Sequence, residues 1–90
     1  MLSAIAASSI TASSAQITWT TNQASDSQVE YGLTTGYGLV TPLNTSLVTR
    51  HWRPLRGLAP NTQYHYRVKS RDVDGNLAVS GDFTFKTKPY

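Results

Sequence analysis

Apolar and polar residues alternate with a period of two along most of this chain, and that period predicts half-buried strands. The clearest is Tyr64 to Arg71, where Tyr64, Tyr66 and Val68 alternate with His65, Arg67 and Lys69, leaving one apolar and one basic face. Ser14 to Thr20 repeats the pattern, with Ala15, Ile17 and Trp19 on one side and Gln16 and Thr18 on the other. Gln28 to Leu33 sets Val29 and Tyr31 inward, Gln28 and Glu30 outward. Weaker alternation predicts an edge-type strand over Ser3 to Ile10, a short one over Tyr37 to Thr41 ended by Pro42, and another around Arg50 to Arg56. A last strand runs from Leu77 to Thr87, with Phe83 and Phe85 on one face and a bend or bulge at Gly81. No stretch holds a helical period long enough to compete.

The segments between these strands carry turn chemistry. Thr21 to Ser27, rich in Asn, Ser and Asp, is expected to be a polar loop, and Leu43 to Thr49 a crossing from one sheet to the other. Thr34-Thr35-Gly36 has hairpin length, and the echo of Tyr31-Gly32-Leu33 in Tyr37-Gly38-Leu39 across it fits similar hairpin positions. Gly57, Pro60 and Asn61-Thr62 force a change of direction before Tyr64, and Asp72 to Asn76 reads as a tight turn using Asp74-Gly75 for positive backbone angles. Short strands with turns about every 8–12 residues predict a two-sheet sandwich.

The spacing Leu58-x-Pro60-x-x-x-Tyr64 resembles the corner of fibronectin type III domains, where the tyrosine hydroxyl bonds to backbone just upstream. Trp19 resembles the strand-B tryptophan of the same family. Ser27 to Gly32, Gly57 to Val68, and Asp74 to Ala78 leading to Phe83-Thr84-Phe85 extend the likeness over the whole chain. It resembles most the microbial domains found beside extracellular hydrolases and on cell surfaces. The resemblance implies an all-β, immunoglobulin-like sandwich of seven strands, with Trp19, Tyr31, Leu58, Tyr64, Tyr66 and Val68 in the core. It also implies a secreted or cell-surface setting and a monomeric spacer or protein- or glycan-binding module.

Ninety residues accommodate one small domain spanning 1–90 and one core. The absence of cysteine removes disulfides, thiolate nucleophiles and cysteine metal sites. The start Met-Leu-Ser-Ala-Ile-Ala-Ala has no positive flank and is broken by Ser8 and Ser9, so it fits neither a signal peptide nor a membrane span. Met1 reads as an expression start, and the domain as cut from a longer chain. Net charge is +3, matched in size by Arg50, Arg53 and Arg56 alone. With no second basic cluster in the sequence, no nucleic-acid partner is expected.

Catalysis and cofactors are not expected either. The imidazoles are His51 and His65, and the carboxylates Asp26, Glu30, Asp72, Asp74 and Asp82 show no spacing that would split an acid from a base. His65 is expected as an exposed surface histidine, and Glu30 and Arg67 as a cross-strand ion pair. Asp72-x-Asp74-Gly75-Asn76 superficially suggests a calcium loop, but counted from Asp72 the sixth residue is Leu77 and the twelfth Phe83, where that loop needs glycine and glutamate. Arg71-Asp72-Val73 stands where adhesive fibronectin domains carry Arg-Gly-Asp, so integrin binding does not transfer. Asn44-Thr45-Ser46 fits the glycosylation triplet that a eukaryotic secretory host would use.

The departure from the family is Arg50-His51-Trp52-Arg53-Pro54-Leu55-Arg56. Arg53 falls at a position the family fills with an apolar side chain, so either the strand is bulged or the arginine reaches past the edge to water. Pro54 lacks a donor and suits an edge strand. Arg50, Trp52, Arg53 and Arg56 together have the composition of an interface hot spot. The plainer alternative is an indole that covers the sheet edge among solvated arginines. A stand-alone binding protein, natural or engineered on this scaffold, is the rival to a spacer or interaction module.

Overall fold

Seven strands surround a core of aromatic and branched side chains, in a computed structural model that describes residues 2–90. Met1 lies outside the described residues. The strands are β1 (Leu2–Ser8), β2 (Ala15–Gly32), β3 (Gly38–Val40), β4 (Asn44–Leu55), β5 (Gln63–Arg71), β6 (Leu77–Val79) and β7 (Phe83–Lys86). All pairings are antiparallel. The first half of β2 lies between β1 and β4, and its second half lies between β3 and β5, which also pairs with β6 and β7. One strand therefore belongs to both layers of the sandwich.

Three expectations are corrected, the first two by that continuity. Thr21 to Ser27 is strand rather than loop: Thr21, Ser25 and Ser27 are buried on the inward parity of β2. Thr21 and Ser25 both donate to the Gln23 carbonyl, at 2.6 and 2.9 Å, and the Ser27 hydroxyl bonds to His51 at 2.6 Å. Polar residues can thus extend a strand into the interior when each hydroxyl finds a partner. Residues 44–49, expected as part of a crossing, belong to β4, which follows β2 through irregular pairings of Ser25 with Val48 and Ser27 with Asn44. The expected last strand is split in two, because the Ser80 hydroxyl accepts the Val68 N–H at 2.9 Å in place of a backbone carbonyl. Gly81 sits in that break. An extra residue at Ala4, with φ of 53°, bulges β1 against β2.

Ala15, Ile17, Trp19, Val29, Leu55, Leu58, Tyr64, Tyr66, Val68 and Phe85 form the buried core, and Tyr31, half-buried, packs against it. Each large side chain so buried contributes about 1.5–3 kcal/mol. The Trp19 indole N–H donates to Ser70 Oγ at 2.9 Å, so its one polar atom is satisfied inside. Across β5 and β7 the directly paired Tyr64 and Phe85 stack with ring centres 5.7 Å apart, and Tyr66 and Phe83 at 5.8 Å. Phe83 nevertheless remains partly exposed.

The corner before β5 closes on itself. The Ala59 N–H donates to the Tyr64 hydroxyl at 2.8 Å, while Thr87 Oγ1 donates to the Ala59 carbonyl at 2.6 Å and accepts the Thr62 N–H at 2.9 Å. Gly57 (φ 70°) and Asn61 (φ 51°) supply the left-handed angles the reversal needs. The echoed glycines of the β2–β3 hairpin do different work. Gly38 has φ of 95°, whereas at Gly32 a Cβ would lie 1.7 Å from the Tyr37 carbonyl oxygen.

Candidate functional site

Pairing of β1, β2 and β4 sets their outward residues in rows. Ser3, Thr20 and Arg50 form one row, Ala6, Thr18 and Trp52 the next, and Ser8, Gln16 and Pro54 the third. On β1 and β2 the side chains of these rows are small or hydroxylated apart from Gln16, and Trp52 stands among them 46% exposed. Ser3 and Thr20 share a hydrogen bond at 2.7 Å. Arg50 and Arg56 are exposed, and no ion pair among the described residues includes Arg50, Arg53 or Arg56.

Arg53 lies on the inward parity of β4, between buried His51 and Leu55, yet it is only half-buried. The register from Ala15–Leu55 to Thr20–Arg50 is unbroken, so a bulge is not the explanation. Instead the side chain turns back to the strand edge, donating from Nε to the Trp52 carbonyl at 2.6 Å with its guanidinium carbon 5.9 Å from the Trp52 ring centre. The stem is covered and the charge reaches water. Among the described residues strand β4 pairs with β2 alone, and Pro54 brings no donor to its edge.

Beneath Arg53, His51 is buried and stacks on Trp19 with ring centres 5.0 Å apart and planes within 4°. Its Nε2 lies 3.0 Å from Thr21 Oγ1 and its Nδ1 2.6 Å from Ser27 Oγ. Because Thr21 donates its hydroxyl hydrogen to Gln23, Nε2 carries the proton and Nδ1 accepts from Ser27. Burial holds the His51 pKa below its ordinary 6.5, opposed in part by the charge of Asp26. Sequence reading did not single out this network. The signal was a histidine at the same parity as Leu55, with Arg50 and Trp52 on the opposite parity to either side of it.

The outer face of the second sheet is organised differently. Glu30 and Arg67 are direct partners across β2 and β5, joined Nε to Oε1 at 2.8 Å, with Lys69 Nζ at 3.6 Å from the same oxygen. The Arg67 guanidinium lies 4.9 Å from the Tyr37 ring centre. Tyr37 donates its hydroxyl to Asp82 Oδ1 at 2.9 Å, and His65 Nδ1 contacts Asp82 Oδ2 at 2.8 Å. His65, expected as an exposed surface histidine, is therefore half-buried and bonded to Asp82. The Arg67 hydrogen bond lowers the Glu30 pKa, and the His65 hydrogen bond lowers that of Asp82.

The loop after β5 is self-contained. Asp72 Oδ1 accepts the N–H groups of Asp74 and Asn76, Oδ2 accepts the Asn76 amide, and only Gly75 takes the positive φ, at 85°. A polar cleft of about 160 Å³ beside it is lined by Thr21, Gln23, Ser25, Ser70, Asp72 and Asn76. Asn44 accepts the Ser46 N–H at the start of β4. Among the described residues no three His, Cys, Asp or Glu side chains gather as metal ligands.

Comparison with known proteins agrees with this architecture. The sensor domain of the anti-sigma factor RsgI4 of Pseudobacteroides cellulosolvens superimposes with a TM-score of 0.70 at 23% identity, covering 100% of this chain and 95% of that one. A computationally redesigned β-sandwich protein gives 0.72 at 26% identity, covering 97% and 93%. The crystal structure of the chicken CNTN1 FN1–FN3 domains gives 0.73 at 16% identity, with 97% of this chain matched to 31% of that one. These likenesses establish an immunoglobulin-like sandwich of fibronectin type III kind. No curated protein matches the chain by sequence. The family of purple acid phosphatase N-terminal domains matches residues 3–87, and the chain belongs to that family.

Proposed function

We propose that this domain is a non-catalytic interaction module of a secreted or cell-surface microbial protein, holding its partner on the outer face of the β1–β2–β4 sheet. One observation carries the reading: an exposed indole, Trp52, stands on the outer face beside Arg50, with Arg53 turned to it from the strand edge and Arg56 just past the strand, and among the described residues no carboxylate is paired to any of the three. Tryptophan and arginine are the side chains that supply most of the free energy at interfaces when desolvated. Membership of a family defined by an N-terminal domain supports an accessory role beside other domains, and the fibronectin-like fold supports the extracellular setting. The domain acts as a monomer and takes neither nucleic acid nor membrane.

The test is to immobilise the domain against panels of glycans and proteins and to repeat each positive with Trp52→Ala and Arg53→Ala. Loss of binding in both variants, with unchanged unfolding curves, is expected. Unchanged binding to every partner found would dispose of this face as the contact site.

A further inference from the structure

We infer that the partner of this face is a carboxylate-bearing polysaccharide, an inference that rests on the proposed binding face and narrows its occupant. Three features select the class. The first is charge: among the described residues Arg50, Arg53 and Arg56 meet no acid, whereas the carboxylates of the opposite face, Glu30 and Asp82, are occupied by Arg67, Lys69, His65 and Tyr37. A cationic face without internal partners attracts an anion, and a guanidinium grips carboxylates in its planar fork.

The second is composition. Trp52 has Ala6 and Thr18 in its own row, Arg50 and Pro54 beside it on β4, and Ser3, Ser8 and Thr20 in the flanking rows; of these only Pro54 adds much apolar area, too little for the core of a protein interface, where serine and alanine are depleted. A lone indole offers a flat apolar surface on which a sugar ring can lie, while the hydroxyls beside it and the Gln16 amide can exchange hydrogen bonds with sugar hydroxyls.

The third is the edge. The Trp52 carbonyl is already taken by Arg53, and Pro54 has no N–H, so consecutive edge groups of β4 cannot form a ladder with an added strand. An acidic peptide is thereby denied strand addition at this point. What remains is the face, and a face of hydroxyls, one indole and unpaired guanidinium groups matches an acidic sugar polymer.

The experiment uses the intact domain and three probes at low salt: polygalacturonate, its neutral counterpart galactan, and polyglutamate as an anion without sugar rings. Affinity is followed by calorimetry and by indole fluorescence, in which Trp52 is exposed and Trp19 is buried. Polygalacturonate is expected to bind at least about tenfold more tightly than either other probe, with affinity falling as salt is raised. Trp52→Ala should weaken it by about tenfold or more, Trp52→Phe should restore part of the loss, and Arg50→Gln should weaken it less. Equal binding of polyglutamate, still lost in Trp52→Ala, would overturn the sugar class while leaving the face as the site. Galactan binding as tightly would likewise overturn the requirement for charge. Polygalacturonate binding that neither Trp52→Ala nor Arg50→Gln disturbs would overturn both the class and the face.

Discussion

The two outer faces of this sandwich are built partly from one strand and end in opposite electrostatic states. The first half of β2 gives Gln16, Thr18 and Thr20 to one face, and the second half gives Gln28 and Glu30 to the other. On the Glu30 side the basic residues of the central rows find an acid or an aromatic ring within the same sheet: Arg67 and Lys69 at Glu30, His65 at Asp82, Arg67 also over Tyr37. On the Trp52 side the arginines have none. A face whose charges complete one another has little left for a ligand to satisfy. Arginines without an acid near an exposed indole leave charge for an anionic partner to satisfy.

The comparison presumes that both faces are mounted on one core, and the largest predicted effect tests that. Trp19→Ala removes the indole that links β2 to Ser70 of β5 and that His51 stacks upon. It should cost about 3–5 kcal/mol in urea unfolding, read as a single transition by probes on either sheet. Separate transitions for the two sheets would show that the faces are not coupled. Tyr64→Phe, which leaves the Ala59 N–H without its partner, should cost about 1 kcal/mol.

Acid separates the layers by pH. His51 titrates lower in the folded protein than its ordinary 6.5, so the folded state binds fewer protons and the stability it contributes above pH 6.5 is lost progressively below it. Glu30 and Asp82 are also depressed, from 4.5 and 3.8, so their contribution survives to more acidic pH and fades only below those values. Stability measured against pH should therefore fall in two stages, and His51→Gln should remove the first. A first stage that persists in that variant would show that another group causes it.

The smallest effects distinguish the faces directly. A double-mutant cycle on Glu30 and Arg67 should return a favourable coupling, whereas Arg50→Gln should leave stability within about 0.5 kcal/mol of the native domain. Coupling absent from the first, or a large loss in the second, would erase the distinction.

Much of this contrast was legible in the alternation of residues. Tyr64, Tyr66 and Val68 against His65, Arg67 and Lys69 gave strand and facing together, and the register then brought Glu30 opposite Arg67. The Leu58 to Tyr64 spacing pointed to the hydroxyl that meets the Ala59 N–H. What escaped was set by partners distant in sequence. Thr21, Ser25 and Ser27 look like a loop until β4 lies beside them, with His51 bonded to Thr21 and Ser27 and Val48 paired with Ser25. His65 looks solvent-facing because Asp82, seventeen positions away, belongs to another strand end. The edge position of β4 followed from Pro54 and the family resemblance, but that Arg53 covers its neighbour's carbonyl depends on a side-chain path that periodicity does not encode.

The most direct measurement is a map of amide and indole NMR shifts in the labelled domain as polygalacturonate is added. Perturbations concentrated at Ser3, Thr18, Thr20, Arg50 and the Trp52 indole are predicted. Shifts confined to Glu30, His65, Arg67 and Lys69, with the Trp52 signal unmoved, would contradict the assignment of the binding face.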